Sequence, residues 1–115
     1  MKVTHFSNIN TVEIKEGNVN GVQKRVLVSA KDGAPNFTMR MFTVAPGGYT
    51  FHHAHNFEHE IYIVEGKGEV QTDEASKLFE KDYVLFIDPN KMHQIRNTGD
   101  SPLRFLCLIP NANER

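Results

Sequence analysis

The chain has 115 residues, and its 13 Lys and Arg residues nearly balance its 14 Asp and Glu residues, which gives a net charge of −1 at neutral pH. A chain of this length suits one core, so residues 1–115 are expected to form a single domain. The weak charge and the absence of long basic or apolar runs argue against a nucleic-acid or membrane partner and predict a cytoplasmic location.

The apolar residues fall in short runs, rich in Val, Ile, Phe and Tyr, that are separated by Gly, Pro, Asn or Asp. This pattern is typical of β-strands joined by turns. In chain order, the predicted strands are residues 22–29, 38–45, 60–65, 68–72, 83–87, 93–97 and 103–109. The predicted turns are residues 32–35, 46–48, 66–68, 88–90 and 97–100. No segment has the periodicity of a long helix, so the sequence predicts an all-β sandwich or barrel.

The last predicted strand, 103–109, is apolar at both parities except for Arg104, unlike a strand with one solvated face. We therefore expect both of its faces to be covered. A second copy of the chain would supply the second cover, so we predict a homodimer; the alternative is a central strand of a two-layer sandwich. Cys107 lies in this strand among large apolar residues, which favours a buried apolar role over a nucleophile.

Four of the six histidines lie within residues 52–59, and a fifth, His93, comes from a remote strand. Residues two apart in an extended chain point to one side about 6–7 Å apart, so His53 and His55 are able to bind one ion. His59 returns to the same centre after a short turn. Nitrogen donors of this kind suit zinc, copper, iron or nickel. The alternative is a set of solvated histidines in a His-rich loop.

The segment from His55 to His59 also matches H-x-x-E-H, the signature of inverted zinc proteases. That signature needs both histidines on one face of a helix and Glu58 as general base. The residues that follow, 60–64, are strongly strand-forming, and the chain is too short for the rest of a protease. We therefore reject the protease interpretation.

The spacing of these residues resembles the two motifs of the cupin superfamily. The first motif, G-x5-H-x-H-x3,4-E-x6-G, can be laid on Gly47, His53, His55, His59 and Gly66. A histidine thus stands where the motif has glutamate. The second motif, G-x5-P-x-G-x2-H-x3-N, falls on Asp82, Asp88, Asn90, His93 and Asn97. Only its His and Asn are kept, and the lost positions are turn positions at which Asn and Asp are acceptable.

The resemblance implies an all-β double-stranded β-helix, the cupin jelly-roll barrel, with its motif core at residues 38–109. The chain looks like the small bacterial cupins with a four-histidine site, where manganese is also found. This likeness implies one bound divalent transition metal ion (Mn, Fe, Ni or Zn) and four ligands: His53, His55, His59 and His93.

Glu60 fits the longer spacing of the motif glutamate, so a fifth ligand and a general base are both open for it. Strand alternation places it opposite His59, which favours an exposed charge or a partner of a ligand. Further candidates for an acid or base are Tyr49, Arg40 and Tyr62, although packing or exposure also explains each of them. No catalytic residue beyond the predicted ligands is therefore assigned.

The metal site and the resemblance together favour a metal-dependent enzyme, of the oxygenase type, acting on a small oxygen-rich or chelating metabolite. The alternatives are a cupin isomerase, lyase or decarboxylase, and a non-catalytic module in which the ion binds a metabolite or braces the barrel. A site without a ligand carboxylate leaves more positive charge on the ion, and it therefore favours an anionic chelate.

Overall fold

Residues 1–15 and 17–111 are described by a computed structural model. They form two short 3-10 helices, Phe6–Asn8 and Ala30–Asp32, and nine strands. The strands are β1 (Val12–Ile14), β2 (Asn20–Val28), β3 (Phe37–Tyr49), β4 (His59–Glu65), β5 (Lys67–Thr72), β6 (Ser76–Glu80), β7 (Val84–Ile87), β8 (His93–Asn97) and β9 (Leu103–Pro110). The all-β prediction is confirmed. Within the described segments, no helix has the length and apolar character needed to span a bilayer.

The strands pair antiparallel in one sheet with the order β6-β5-β8-β3-β9-β4-β7, and β2 and β1 continue from β3. Strand β3 is 13 residues long and has three different partners. It pairs with β9 along residues 37–44 and with β2 along residues 39–44, while Tyr49 at its end pairs with Asn20 on β2 and with Arg96 on β8. Because one strand serves both halves of the sheet, the sheet curls around an interior as the predicted jelly-roll barrel requires.

The turn expected at residues 46–48 is wrong, because β3 continues through them to Tyr49. The register of β2 against β3 shifts beside these residues. Gly47 has a left-handed φ of 77°, and a Cβ on Gly48 would lie 2.5 Å from the carbonyl oxygen of Asn20. The two glycines therefore bend the strand through a bulge instead of reversing the chain.

The core lies on the inner face of the curled sheet. On β9 the odd-numbered residues from Leu103 to Ile109 are buried, whereas the even-numbered residues from Arg104 to Pro110 are only half-buried. Cys107 belongs to the buried set, as expected. Within one chain β9 thus has a single covered face, and the second cover by another subunit stays a prediction.

Two of the nine strands, β1 and β6, were not expected from the sequence. In β6 only Phe79 is buried, and Leu78 is 74% exposed, so the segment shows no alternation of apolar and polar residues. It forms because it pairs with β5 as a hairpin. In β1, Val12 is 55% exposed and the strand is held by its ladder with β2. Both strands are therefore defined by backbone pairing and by one apolar side chain each, Ile14 on β1 and Phe79 on β6, that packs on the core.

Candidate metal centre

The structure brings together the four histidines that were predicted as ligands, and we call their side chains the histidine cluster. His53 and His93 are joined by a two-way backbone bridge, with N···O distances of 3.1 and 2.9 Å. His59 opens β4 and His93 opens β8. The carbonyl oxygen of His55 accepts a hydrogen bond from the backbone N–H of Asn90. Backbone contacts from three separate parts of the chain therefore place the four rings.

The ring centroids of the histidine cluster lie close to one another. The distances are 4.3 Å for His53–His55, 4.9 Å for His53–His93, 4.8 Å for His59–His93, 5.4 Å for His55–His59 and 6.3 Å for His55–His93. An imidazole nitrogen that binds an ion at about 2.0–2.1 Å puts the centroid of its ring about 3.2 Å from the ion. Two rings that bind at 90° to each other around the ion would have centroids about 4.5 Å apart, and two rings on opposite sides of the ion would have centroids about 6.4 Å apart. The observed spacing fits rings around one ion.

The ring nitrogens are less well arranged than the centroids. Among residues 1–15 and 17–111, no group of three or more His, Cys, Asp or Glu side chains has the arrangement needed to hold a metal ion as it stands. Rotation about χ2 alone redirects the ring nitrogens while it moves the ring centroid little, so the centroid spacing is compatible with nitrogens that turn toward one ion. The ligand set therefore stays a prediction that the spacing supports.

Two of the imidazoles have nitrogen atoms available to an ion. The Nδ1 atom of His93 lies 2.9 Å from the carbonyl oxygen of Lys91. A carbonyl only accepts hydrogen bonds, so Nδ1 carries the proton and Nε2 keeps its lone pair. In His59, Nδ1 is buried and has no hydrogen-bond partner within residues 1–15 and 17–111. A buried polar atom of this kind is costly to leave unsatisfied, and a cation beside the ring would satisfy a lone pair.

The electrostatics of the cluster favour neutral imidazoles. Burial lowers the pKa of His59 from 6.5 to about 3, with further lowering by the charges of His93 and Arg40. Burial, followed by the charges of His55 and His93, lowers the pKa of His53 to about 4. Burial also lowers the pKa of His93, although its hydrogen bond to Lys91 acts in the opposite direction. Neutral imidazole is the form that binds a metal ion.

The histidine cluster lines a cavity of about 630 Å³ inside the barrel, which we call the central cavity. Most of its wall is apolar, and two aromatic side chains flank the cluster: Phe51 stacks on His53, whereas Phe57 lies against His55 and His59. The remaining aromatic wall is formed by Phe42 and Phe105. The volume is enough for a small organic molecule. Phe86 does not belong to this wall, because strand alternation turns it to the outside, where it is 63% exposed.

Of the four candidates for an acid or base, only Arg40 lines the central cavity. Glu60 is exposed on the outer face of β4, on the side opposite His59. Tyr62 is 43% exposed and donates a hydrogen bond to Asp82. Tyr49 lies under the guanidinium of Arg96.

The sequence reasoning did not consider Lys24 as a site residue, yet it lines the central cavity. The available signal was parity in the strand, because Lys24 follows the buried Val22 by two positions and therefore shares its face. A lysine at an inward position of a strand is unusual enough to indicate a role inside the barrel.

The fold and the histidine cluster define a small antiparallel β-barrel with a ligand-sized cavity at its centre. The family model described as "Cupin domain" matches residues 40–109, more than half of the chain. The chain therefore belongs to the cupin domain family.

Several proteins are similar to this chain. The L-ectoine synthase of Bordetella petrii is 32% identical over 90 residues, which cover 76% of this chain and 65% of that protein. The 1-methylthio-D-xylulose 5-phosphate methylsulfurylase of Rhodospirillum rubrum is 30% identical over 71 residues, which cover 62% of this chain. The chain spans only 46% of that relative's length.

Solved structures agree over nearly the whole chain. The polyketide cyclase RemF from Streptomyces resistomycificus superimposes with a TM-score of 0.89 and 28% identity, covering 96% of this chain and 79% of that one. A predicted oxalate decarboxylase from Thermotoga maritima gives a TM-score of 0.84 and 27% identity, covering 96% of this chain and 99% of that one. These likenesses support the jelly-roll barrel over its full extent.

Proposed function

We propose that this cupin binds one divalent transition metal ion at His53, His55, His59 and His93 and acts as a metal-dependent enzyme on a small oxygen-rich, chelating metabolite. The observation that carries the proposal is the convergence of four imidazoles, on three separate chain segments, at the wall of a cavity large enough for such a molecule. Manganese, iron, nickel and zinc are all compatible with nitrogen ligands and open positions.

A divalent ion in the histidine cluster would supply a Lewis acid that polarises a carbonyl or carboxylate oxygen of the substrate. The protein residues would orient and enclose that substrate. The hydrogen bond from His93 to Lys91 holds one ring in a fixed tautomer. The aromatic side chains of Phe51 and Phe57 lie beside the cluster and would shield the reacting end of the cavity from water.

The type of reaction has two candidates. The sequence favours an oxygenase, but the similar proteins are named as a synthase, a cyclase, a methylsulfurylase and a predicted decarboxylase. None of these names is that of an oxygenase, which supports the alternative of an isomerase, lyase or decarboxylase. Turnover of small 1,2-dioxygenated acids and diketones, with and without dioxygen, separates the two: an oxygenase needs dioxygen and the alternative does not.

The metal proposal is tested by metal analysis of the full chain, purified without an affinity tag. We expect about one ion per chain in the wild type and near-complete loss in His59→Gln and His93→Gln. His52→Gln is the matched control, because His52 adjoins the cluster in sequence but is exposed, and it should keep the ion. Equal metal content in all four proteins would overturn the proposal. A bound ion without turnover of any substrate would favour the non-catalytic module.

We also propose that the active form is a homodimer that uses the outer face of β4, β7 and β9. This face carries four apolar side chains that are exposed or half-buried, namely Tyr62, Val84, Leu106 and Leu108, and the exposed Glu60 lies among them. Phe86 extends the patch along β7, an edge strand. A second copy of the same face would cover the second side of β9.

A further inference from the structure

Residues 88–92, which we call the β7–β8 loop, lie against the backbone of the histidine cluster. Asn90 in this loop donates its backbone N–H to the carbonyl oxygen of His55. The loop ends at His93, whose N–H lies 2.9 Å from the carbonyl oxygen of His53, and the reverse hydrogen bond is 3.1 Å long. The position of the β7–β8 loop therefore helps to set where three of the four rings lie.

The same loop also orients the ring of His93. Its Nδ1 atom lies 2.9 Å from the carbonyl oxygen of Lys91, and this carbonyl accepts the ring proton. The proton on Nδ1 leaves the lone pair on Nε2. A shift of the Lys91 carbonyl would rotate the ring or release the other tautomer, in which the lone pair is on Nδ1. The position of Lys91 thus decides which nitrogen of His93 is available to an ion.

The side chain of Lys91 forms an ion pair with Glu74, which lies in the turn between β5 and β6, residues 73–75. We call this segment the β5–β6 turn. The hydroxyl oxygen of Thr72 closes it, because it accepts from the backbone N–H groups of Glu74 and Ala75 over 3.3 and 3.2 Å. Thr72 is also the register partner of His93 in the ladder between β5 and β8. Backbone pairing therefore fixes the turn that carries Glu74 beside His93.

Glu74 is the carboxylate that holds Lys91 in a defined direction. Their hydrogen bond is the largest cause that lowers the pKa of Glu74 and raises the pKa of Lys91, so both groups are charged at neutral pH. Asp73 and Asp88 also attract Lys91, but through weaker Coulombic attraction. A hydrogen-bonded ion pair has a direction that a Coulombic attraction lacks, so Glu74 is the partner that ties the β7–β8 loop to the β5–β6 turn.

We propose that the ion pair of Glu74 and Lys91 positions the imidazole of His93 for metal binding. The pair fixes the β7–β8 loop on the β5–β6 turn, and the carbonyl of Lys91 then fixes the ring. Glu74 acts through Lys91 and is therefore a positioning residue. The effect on an ion rests on the proposed metal-dependent function, whereas the effect on the ring of His93 needs no ion.

The first test measures the affinity of the full chain for Zn²⁺ in competition with a chelating dye. We expect Glu74→Gln to bind Zn²⁺ about two- to fivefold more weakly than wild type, which is the range that an exposed ion pair supplies. Asp73→Asn is the matched control, because it removes the same charge from the neighbouring position of the turn and leaves the hydrogen bond in place. It should stay within about 1.5-fold of wild type.

Lys91→Met separates positioning from simple electrostatics. Removal of a positive charge near the site would by itself tighten the binding of a cation. Positioning predicts the opposite, a loss of about two- to fivefold as in Glu74→Gln, and a double variant that is no weaker than either single variant. An affinity of Lys91→Met equal to or above that of wild type, additive losses in the double variant, or an equal loss in Asp73→Asn would each overturn the proposal.

The second test observes the ring of His93 directly, by NMR of its imidazole nitrogens in chelator-treated protein. Wild type should hold the proton on Nδ1, and the population with the proton on Nε2 should rise about two- to fivefold in Glu74→Gln and in Lys91→Met. An unchanged tautomer population in both variants would overturn the proposal even if their affinity for Zn²⁺ fell.

The two tests separate this inference from the metal proposal. A shifted tautomer in variants of a protein that binds no ion would support the positioning role and contradict the metal-dependent function. One bound ion per chain together with an unshifted tautomer would do the reverse.

Discussion

Acidification of the metal-free protein should destabilise the fold through the buried imidazole of His59. The pKa of His59 is about 3 in the folded protein against 6.5 for an unperturbed histidine. Below pH 6.5 the unfolded chain therefore binds a proton that the folded chain does not. The stabilising contribution is present above pH 6.5 and is lost as the pH falls toward the folded pKa.

The size of the effect follows from the distance between pH 5 and the unfolded pKa. That distance is about 1.5 units, and one unit corresponds to about 1.4 kcal/mol, so His59 alone should cost about 2 kcal/mol between pH 7 and pH 5. His53, with a pKa of about 4, acts in the same direction but is partly exposed, so its share is smaller. For a chain of this length, the melting temperature should fall by roughly 8–15 °C.

The assay is chemical denaturation of chelator-treated protein at pH 7 and pH 5, for wild type and two variants. His59→Gln removes the titrating group, so it should lose about 2 kcal/mol less than wild type over this range. His52→Gln changes an exposed neighbour and should behave like wild type. A wild-type free energy of unfolding that is the same at pH 7 and pH 5 would refute the assignment of buried, neutral imidazoles.

Three further predictions concern the barrel and its outer face. The buried side-chain amide of Asn97 donates hydrogen bonds to the carbonyl oxygens of Val44 and Ser101 and accepts one from the backbone N–H of Gly99. Asn97→Ala should therefore lower the unfolding free energy by about 3 kcal/mol in denaturant titrations. A loss below about 1 kcal/mol would contradict this prediction. Asn90 has a left-handed φ of 66°. Asn90→Gly should therefore be neutral or stabilise the fold by up to about 1 kcal/mol, whereas Asn90→Val should destabilise it by about 1–2 kcal/mol. A higher melting temperature for Asn90→Val than for Asn90→Gly would contradict the left-handed conformation at this position. Phe86→Glu should convert the proposed dimer into a monomer in light scattering without changing the circular dichroism spectrum. A wild-type protein that is monomeric in light scattering would contradict the homodimer proposal.

The sequence predicted those strands that bury one face or both. Strand β8 has the predicted bounds, 93–97, and β4 begins one residue earlier than predicted. Alternating or continuous apolar residues mark these segments, and burial is the cause of both the pattern and the strand. Strands β1 and β6 were not predicted because each packs only one apolar side chain on the core and otherwise depends on its backbone ladder, which has no signature in the sequence.

The turn positions show how a motif is kept after its residues have changed. Asp82 and Asn90 stand where the second cupin motif has glycine, and both have a left-handed φ, 71° and 66°. They are the non-glycine residues with positive φ in the described part of the chain. Asp and Asn tolerate this conformation better than other side chains do, so the backbone requirement survived the loss of glycine. A turn was wrongly predicted at Gly47 and Gly48 because glycine is favoured in a β-bulge as well as in a turn.

The sequence predicted that the four histidines lie close together, but it did not predict the side chains around them. The short spacing of His53, His55 and His59 indicates one location, but only the sheet topology brings His93 to His53 through a backbone bridge. Strand parity was the only sequence feature that distinguished Arg40, which lies inside the barrel, from Glu60, which lies outside it. Cavity walls depend on which strands face one another, and this is a property of long-range pairing.

The most direct test of the metal centre is a crystal structure of the protein as purified, with anomalous diffraction measured at the edges of manganese, iron, nickel and zinc. We expect one strong anomalous peak about 2.0–2.3 Å from a nitrogen of each of His53, His55, His59 and His93. A peak bound elsewhere, or four rings turned away from a common point in a protein that had been supplied with metal, would contradict the account.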